Sequence, residues 1–296
     1  METSETLRRK IENAGDLRSL VRTMKTLALV NIRHYEDAVE SLEDYFGTVE
    51  RGFQALLRDA APLPVNGDGA DTAPLGVVVI GSEQGMVGQF NERIASFAQR
   101  RISAGNTERK VAVLTLGARV ASHLTGLGYT VEDSLSVPNS VGGINAAVAE
   151  LLVRIEAWRS AERGISHIHL IYNRTQSGAS YSPSLFRLLP LDGHWLQSIR
   201  NRSWESRSLP IHRMDWETLF AALVHQYLFV GIYRAIAESL ASENASRLVA
   251  MQAAEQNIED RLEELRAAFQ QQRQTAIMNE LLDVISGYVA LTDEQR

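Results

Sequence analysis

Apolar side chains early in the chain recur at Leu7, Ile11, Ala14, Val21, Met24, Ala28, Ile32, Tyr35, Val39, Leu42, Phe46, Val49, Phe53 and Leu56. Most steps are three or four residues, the alternation of a helical seam with a period near 3.5. Arg18 interrupts it, and Leu17 beside it is expected to keep an apolar contact there. The rhythm returns late in the chain at Phe220, Leu223, Tyr227, Ile236, Leu240, Leu248, Met251, Ile258, Leu262, Leu265, Phe269, Ile277, Leu281 and Ile285. Ala241 and Ala254 would let a partner helix approach closely. Pro210 and Asp215 mark a start and Gly287 a stop, with a short break expected near 213–218.

Helix breakers sharpen this division. All seven prolines lie between Pro62 and Pro210, with fifteen of the twenty glycines. Proline costs about 3 kcal/mol inside a helix, so 1–61 and 213–296 read as helical arms around a loop-rich middle, 62–212. The arms would be roughly 85 and 110 Å long at the α-helical rise, against a radius of gyration of about 19 Å for a compact chain of this size. The expected solution is an antiparallel coiled coil of terminal helices joined through a central α/β domain. The longer second arm still carries Ile277, Leu281, Leu282, Val284 and Ile285 near its end, which calls for another protein around it.

The middle alternates period-2 and helical stretches. Strands are predicted over 76–80, 110–116 and 167–172, and helices over 91–103, to about His123, and over 143–158, giving a small Rossmann-like parallel sheet with helices on its faces. Residues 62–69 read as a connector. Gly81, Gly85 and Gly88 follow a strand and precede a helix, as phosphate loops do. No Gly-Lys-Ser/Thr closes the loop, however, and Glu83 places negative charge where phosphate would sit, so a tight structural turn is the better reading. His167 and His169 share a strand face without a third ligand at a recognisable spacing. Ser180, Ser182 and Ser184 sit in no nucleophile elbow. The sequence offers no catalytic constellation, no metal set and no cofactor motif.

Composition narrows the classes. The chain of 296 residues is 45% hydrophobic and 22% charged, with a net charge of −6, which argues against nucleic-acid binding. Cysteine is absent, which removes disulfides and thiolate chemistry. No run approaches eighteen apolar residues and the first residues have no apolar signal core, so neither a spanning segment nor a secretory signal is expected. Charge is uneven along the first arm. Residues 1–33 hold seven basic side chains against four acids, and Arg18, Arg22 and Lys25 share one face. That face is either a solvated stripe or a contact for carboxylate-rich loops of a partner.

Ala241-Ser-Glu-Asn-Ala-Ser-Arg-Leu-Val-Ala-Met-Gln-Ala-Ala254, then Asn257, Leu262 and Leu265, and Arg273-Gln-Thr-Ala-Ile-Met-Asn-Glu-Leu281 through Gly287 resemble the end of the gamma subunit of F-type ATP synthases. Ser82-Glu-Gln-Gly-Met-Val-Gly88 with Asn91 is similar to that family's central glycine loop, Leu188-Leu-Pro-Leu191 to the segment closing its sheet, and Val21–Lys25 with Ala28 matches more weakly. The departures, Glu83-Gln84 for the family's Asp-Arg, Val87 for a frequent Cys and Met278 for a common Thr, point to a divergent branch such as the sodium-type N-ATPase lineage.

The resemblance implies a non-catalytic rotor shaft on the cytoplasmic face of the bacterial membrane. Its terminal helices would lie inside a hexamer of alpha and beta subunits, and its foot on epsilon and the c-ring, touching the membrane only through the complex. It implies that Arg273, Gln274 and Glu280 engage beta-subunit loops, and that Arg22 and Lys25, with Met24 nearby, face the acidic beta-subunit lever. Ile277, Leu281, Leu282 and Ile285 would ride in an apolar sleeve. A static coiled-coil scaffold and a nucleotide-dependent enzyme built on the central domain stand as the alternatives.

Overall fold

The computed structural model describes residues 3–58, 73–104, 109–160, 163–176, 180–204, 208, 210 and 213–293, with side chains described as far as 286. The expected connector at 62–69 lies outside the described residues. In chain order the elements are α1 (Ser4–Leu57), β1 (Leu75–Ile80), α2 (Phe90–Ser103), β2 (Val111–Leu116), α3 (Ala118–Gly126), β3 (Val131–Leu135), α4 (Val141–Arg159), β4 (His167–Thr175), β5 (Tyr181–Leu189), α5 (Gly193–Asn201) and α6 (Trp216–Asp293).

The two arms are single helices of 54 and 78 residues. Asp215 caps α6, its Oδ2 accepting from the Thr218 N–H at 3.0 Å. The expected break near 213–218 is therefore only the start of the helix. Nor does α6 stop at Gly287; it runs on to Asp293. One glycine costs a helix interior only about 1 kcal/mol, and no proline follows to end it. Packing groups the residues into two units, 28–247 and the remainder of both long helices.

The unit 28–247 is built on a five-stranded sheet of order β3-β2-β1-β4-β5. β1 to β4 are parallel, but β5 runs antiparallel to β4, so the sheet is mixed rather than purely parallel. Five residues separate β4 from β5, and a parallel return needs a crossover of about a dozen. Pro183 is tolerated because β5 is an edge strand. β1 alternates between two cores. Val77 and Val79 meet Ile94, Ala98, Val120 and Leu124 of α2 and α3, while Val78 and Ile80 belong to the larger cluster with α4, α1 and α6. In that cluster Phe53 meets Trp195 edge-on at 5.5 Å between centroids, and Trp195 lies 4.8 Å from Tyr227.

The second unit is a pair of helix segments. Leu7, Val21, Met251, Leu262 and Leu265 are buried in it. Arg18 reaches Glu259 at 3.9 Å, Arg22 reaches Glu255 at 2.7 Å, and Lys25 also pairs with Glu255. Advancing along α1 thus means retreating along α6, so the segments are antiparallel. Leu17 does not fill the gap left by Arg18: it is 54% exposed. Position 18 lies four residues after Ala14 and three before Val21, so the seam passes through the arginine itself, half-buried beneath its ion pair.

One 18-residue window of α6 averages 1.4 in hydropathy, enough by length and composition to cross a membrane, and a third of it is buried. A core helix meets the same arithmetic, and α6 supplies Tyr227, Leu228, Ile232 and Ile236 to the larger cluster.

Candidate partner-contact surfaces

An open α/β sheet binds ligands beyond the carboxyl ends of its strands, where the strand order reverses. Here that point lies between β1 and β4, since one side of β1 leads to β2 and β3 and the other to β4. The chain's own α6 occupies it. Ser239 Oγ approaches the Ile80 carbonyl at the end of β1 at 3.5 Å, and Ser242 Oγ donates to the Asn173 carbonyl in β4 at 3.0 Å. The place a nucleotide would take is filled by a helix.

The glycine loop is likewise turned inward. Ser82 N–H donates to Asn91 Oδ1 at 2.9 Å, and Asn91 Nδ2 donates to Ser82 Oγ at 2.8 Å. A Cβ on Gly81 would stand 2.3 Å from Val120 Cβ, and Gly88 has φ +54°. Gly81 is thus required for close approach and Gly88 for a left-handed turn. Gly85 is held by neither demand: a Cβ there would meet nothing nearer than the Arg119 guanidinium at 4.0 Å. Glu83 Oε2 accepts from the Ala118 N–H at 3.3 Å, at the start of α3, so the carboxylate occupies a helix N-terminus that could otherwise attract an anion.

His167 and His169 project from β4 beside cations. Burial first, then Arg187 and Arg109, lowers the pKa of His169 to about 4, and the same groups lower that of His167. Two neighbouring guanidinium groups also oppose a metal cation there. Ser182 and Ser184 face Arg174 and Tyr172 across the β4–β5 ladder, and Ser182 Oγ accepts from Gln176 Nε2 at 3.0 Å. Ser180 shares the turn through its carbonyl, which accepts from Gln176 N–H.

Arg22 and Lys25 come together, as their spacing requires, but the carboxylates they face belong to this chain. Hydrogen bonds from Lys25 and Arg22 hold the Glu255 carboxyl below its usual range. Met24 is half-buried between them on the seam. At the far end of α6, Arg273, Gln274 and Glu280 are exposed. So are the apolar residues around them: Ile277, Leu281, Leu282 and Ile285 are 49–53% exposed and Val284 68%.

Sequence reasoning missed a polar stretch of α6. Glu238, Ser239, Ser242, Glu243, Asn244 and Ser246 are all buried. Arg247 pairs with Glu243 at 2.6 Å, and burial still pushes the Glu243 carboxyl up despite that pair. The 239–242–246 spacing put the serines on one face, but polarity alone gave no sign that this face is covered. Glu255 and Glu259 were equally legible as residues and invisible as partners.

The family model described as ATP synthase matches residues 3–291. The ATP synthase gamma chain of Granulibacter bethesdensis is 28% identical, covering 98% of this chain and all of that one. That of Dechloromonas aromatica is 24% identical with the same coverage. Among solved structures, a chain of the Euglena gracilis mitochondrial ATP synthase OSCP/F1/c-ring assembly superimposes with a TM-score of 0.69, covering 99% of this chain and 96% of that chain at 17% identity. A chain of the same organism's ATP synthase rotor gives 0.62, covering 93% and 98% at 18% identity. A mixed sheet carried between two long terminal helices is thus the fold of rotary ATP synthase stalk chains. This chain belongs to the ATP synthase gamma family.

Proposed function

We propose that this chain is the central-stalk rotor of an ion-translocating F-type ATP synthase, coupling ion flow through a c-ring to conformational change at catalytic beta subunits. The observation that carries the reading is the end of α6, where apolar side chains stand half exposed on a continuous helix. Free surface of that kind calls for a sleeve, and alpha and beta subunits supply it. Non-directional contacts of Ile277, Leu281, Leu282 and Ile285 resist turning less than fixed ion pairs would. The chain itself catalyses nothing; its helix fills the crevice a nucleotide would need.

Arg273, Gln274 and Glu280 are assigned to beta-subunit loops, and Met278 replaces a hydroxyl contact by packing. Arg22 and Lys25 meet an acidic beta-subunit lever only by sharing or releasing Glu255, which sets a price on that contact. The α/β domain rests on epsilon and the c-ring, at the cytoplasmic face of a bacterial membrane. Identities of 24–28% across whole chains fit a divergent branch of the family.

Reconstitution with alpha and beta tests the assignment. The chain activates ATPase, and a bead on its α/β domain turns. Arg273→Ala with Gln274→Ala lowers coupled ATPase of the assembled complex; unchanged turnover and unchanged ion pumping reject the role of that pair. A static scaffold would give no rotation, and an enzyme would bind nucleotide as the isolated chain.

A further inference from the structure

Buried polar side chains are costly unless each finds a partner. Every residue of α6 from Ala235 to Ser246 is buried. Within that stretch Ser239, Ser242 and Ser246 lie on one face at steps of three and four. Their hydroxyls meet three separate main-chain carbonyls: Ile80 at the end of β1 at 3.5 Å, Asn173 in β4 at 3.0 Å, and Val87 in the glycine loop at 2.6 Å. Thr175 Oγ1 lies 3.0 Å from Ser242 Oγ, and Tyr181 Oη 3.4 Å from Ser246 Oγ. The receiving backbone is itself braced, by the Ser82–Asn91 pair and by Asn173 Nδ2, which reaches the Phe90 carbonyl at 3.5 Å.

The pattern differs in kind from apolar packing. Apolar burial is non-directional, so a cylinder seated only in aliphatic side chains can rotate slightly about its axis at little cost. A hydrogen bond weakens steeply once its angle closes. Three of them, spread over about 10 Å of helix and anchored to two strands and a loop, oppose any turn of α6 against the sheet. Nothing about burial requires serine here, since alanine fits a helix interior better.

We propose that Ser239, Ser242 and Ser246 are positioning residues that key α6 to the sheet, so that twist passes between the α/β domain and this helix without slip. The proposal rests on the rotor reading above. Its test uses the assembled complex with the hexamer fixed to a surface and a probe on the α/β domain, recording the angular variance of the probe during a nucleotide-locked pause. Ser242→Ala with Ser246→Ala raises that variance roughly twofold, because four of the directional contacts go with the two hydroxyls. Ser242→Val with Ser246→Val does the same, whereas the Thr pair, equal in size to Val but keeping both hydroxyls, holds the parental value. A purely structural role would lower the unfolding temperature without separating Thr from Val in probe variance well below that temperature. Should the double variants fail to assemble, Ser246→Val against Ser246→Thr gives the same comparison. Equal variance in all assembled variants overturns the keying while leaving the rotor reading intact. A parental complex that does not rotate at all overturns both.

Discussion

Residues 235–246 and 273–286 belong to the same helix and reverse the usual relation between polarity and burial. The first stretch carries two glutamates, three serines and an asparagine, and every residue is buried. The second carries Ile277, Met278, Leu281, Leu282, Val284 and Ile285, each 49–68% exposed. Burial in the first is made tolerable by hydrogen bonds to main-chain carbonyls and by the Glu243–Arg247 and Glu238–Arg234 pairs. Exposure in the second has no such internal remedy and makes sense only with a partner surface. Polar residues in the first stretch are fixed by direction, and apolar ones in the second are left bare; on the proposed rotor reading, the first would hold and the second slide.

The comparison can be broken most forcefully in the buried stretch. Ile236 is fully buried, and Ile236→Ala should cost about 2–5 kcal/mol in denaturant unfolding of the free chain. A cost under one would mean that this part of α6 is not core. Next comes the turn that meets the glycine loop. Gly117 has φ +106°, and a Cβ there would stand 2.6 Å from the Ser82 carbonyl oxygen; Gly117→Ala should cost about 1–3 kcal/mol, read by thermal unfolding. The coil unit should respond to pH instead. Glu255 is held below its usual range in the folded chain, so the folded state binds fewer protons than the unfolded one as pH falls through the carboxylate range. The stabilisation is complete at neutral pH and vanishes as pH drops through the depressed value. Glu255→Gln should therefore lower the unfolding midpoint at neutral pH, less so in high salt, and converge with the parent in acid. The smallest effect is expected at the exposed end: Leu281→Ser with Ile285→Ser should move free-chain stability by no more than about 0.5 kcal/mol, yet weaken association with alpha and beta subunits. A large loss in the free chain would show that those side chains are already packed.

The seam of α1 was legible because spacing alone determines it: apart from Leu17, each apolar residue named from Leu7 to Leu56 is buried or half-buried. The central strands were legible for a similar reason, since Val77–Ile80 is a continuous apolar run and Val113–Leu116 is apolar but for Thr115, and both are buried on both faces. What escaped was marginal or relational. β3, Val131–Leu135, holds two acids and alternates with solvent, and β5 carries Pro183 and Arg187, so neither has the composition of an interior strand. α5 has only Leu196 and Ile199 buried, too few for periodicity to reveal it. The end of α6 was readable as apolar, and its exposure follows. The serine face was readable as polar, but its burial depends on strands more than sixty residues away in sequence, and no local pattern carries that information.

The antiparallel coil also has a consequence for biosynthesis. Arg22 and its partner Glu255 are separated by 233 positions, so the early half of α1 must leave the ribosome and wait for nearly the whole chain before its complement is made. Leu7 and Val21 stay uncovered throughout that interval, while the sheet, encoded between Arg22 and Glu255, can already assemble. The coil is the last part of the molecule able to close, and until it does a nascent chain presents a greasy helix to chaperones.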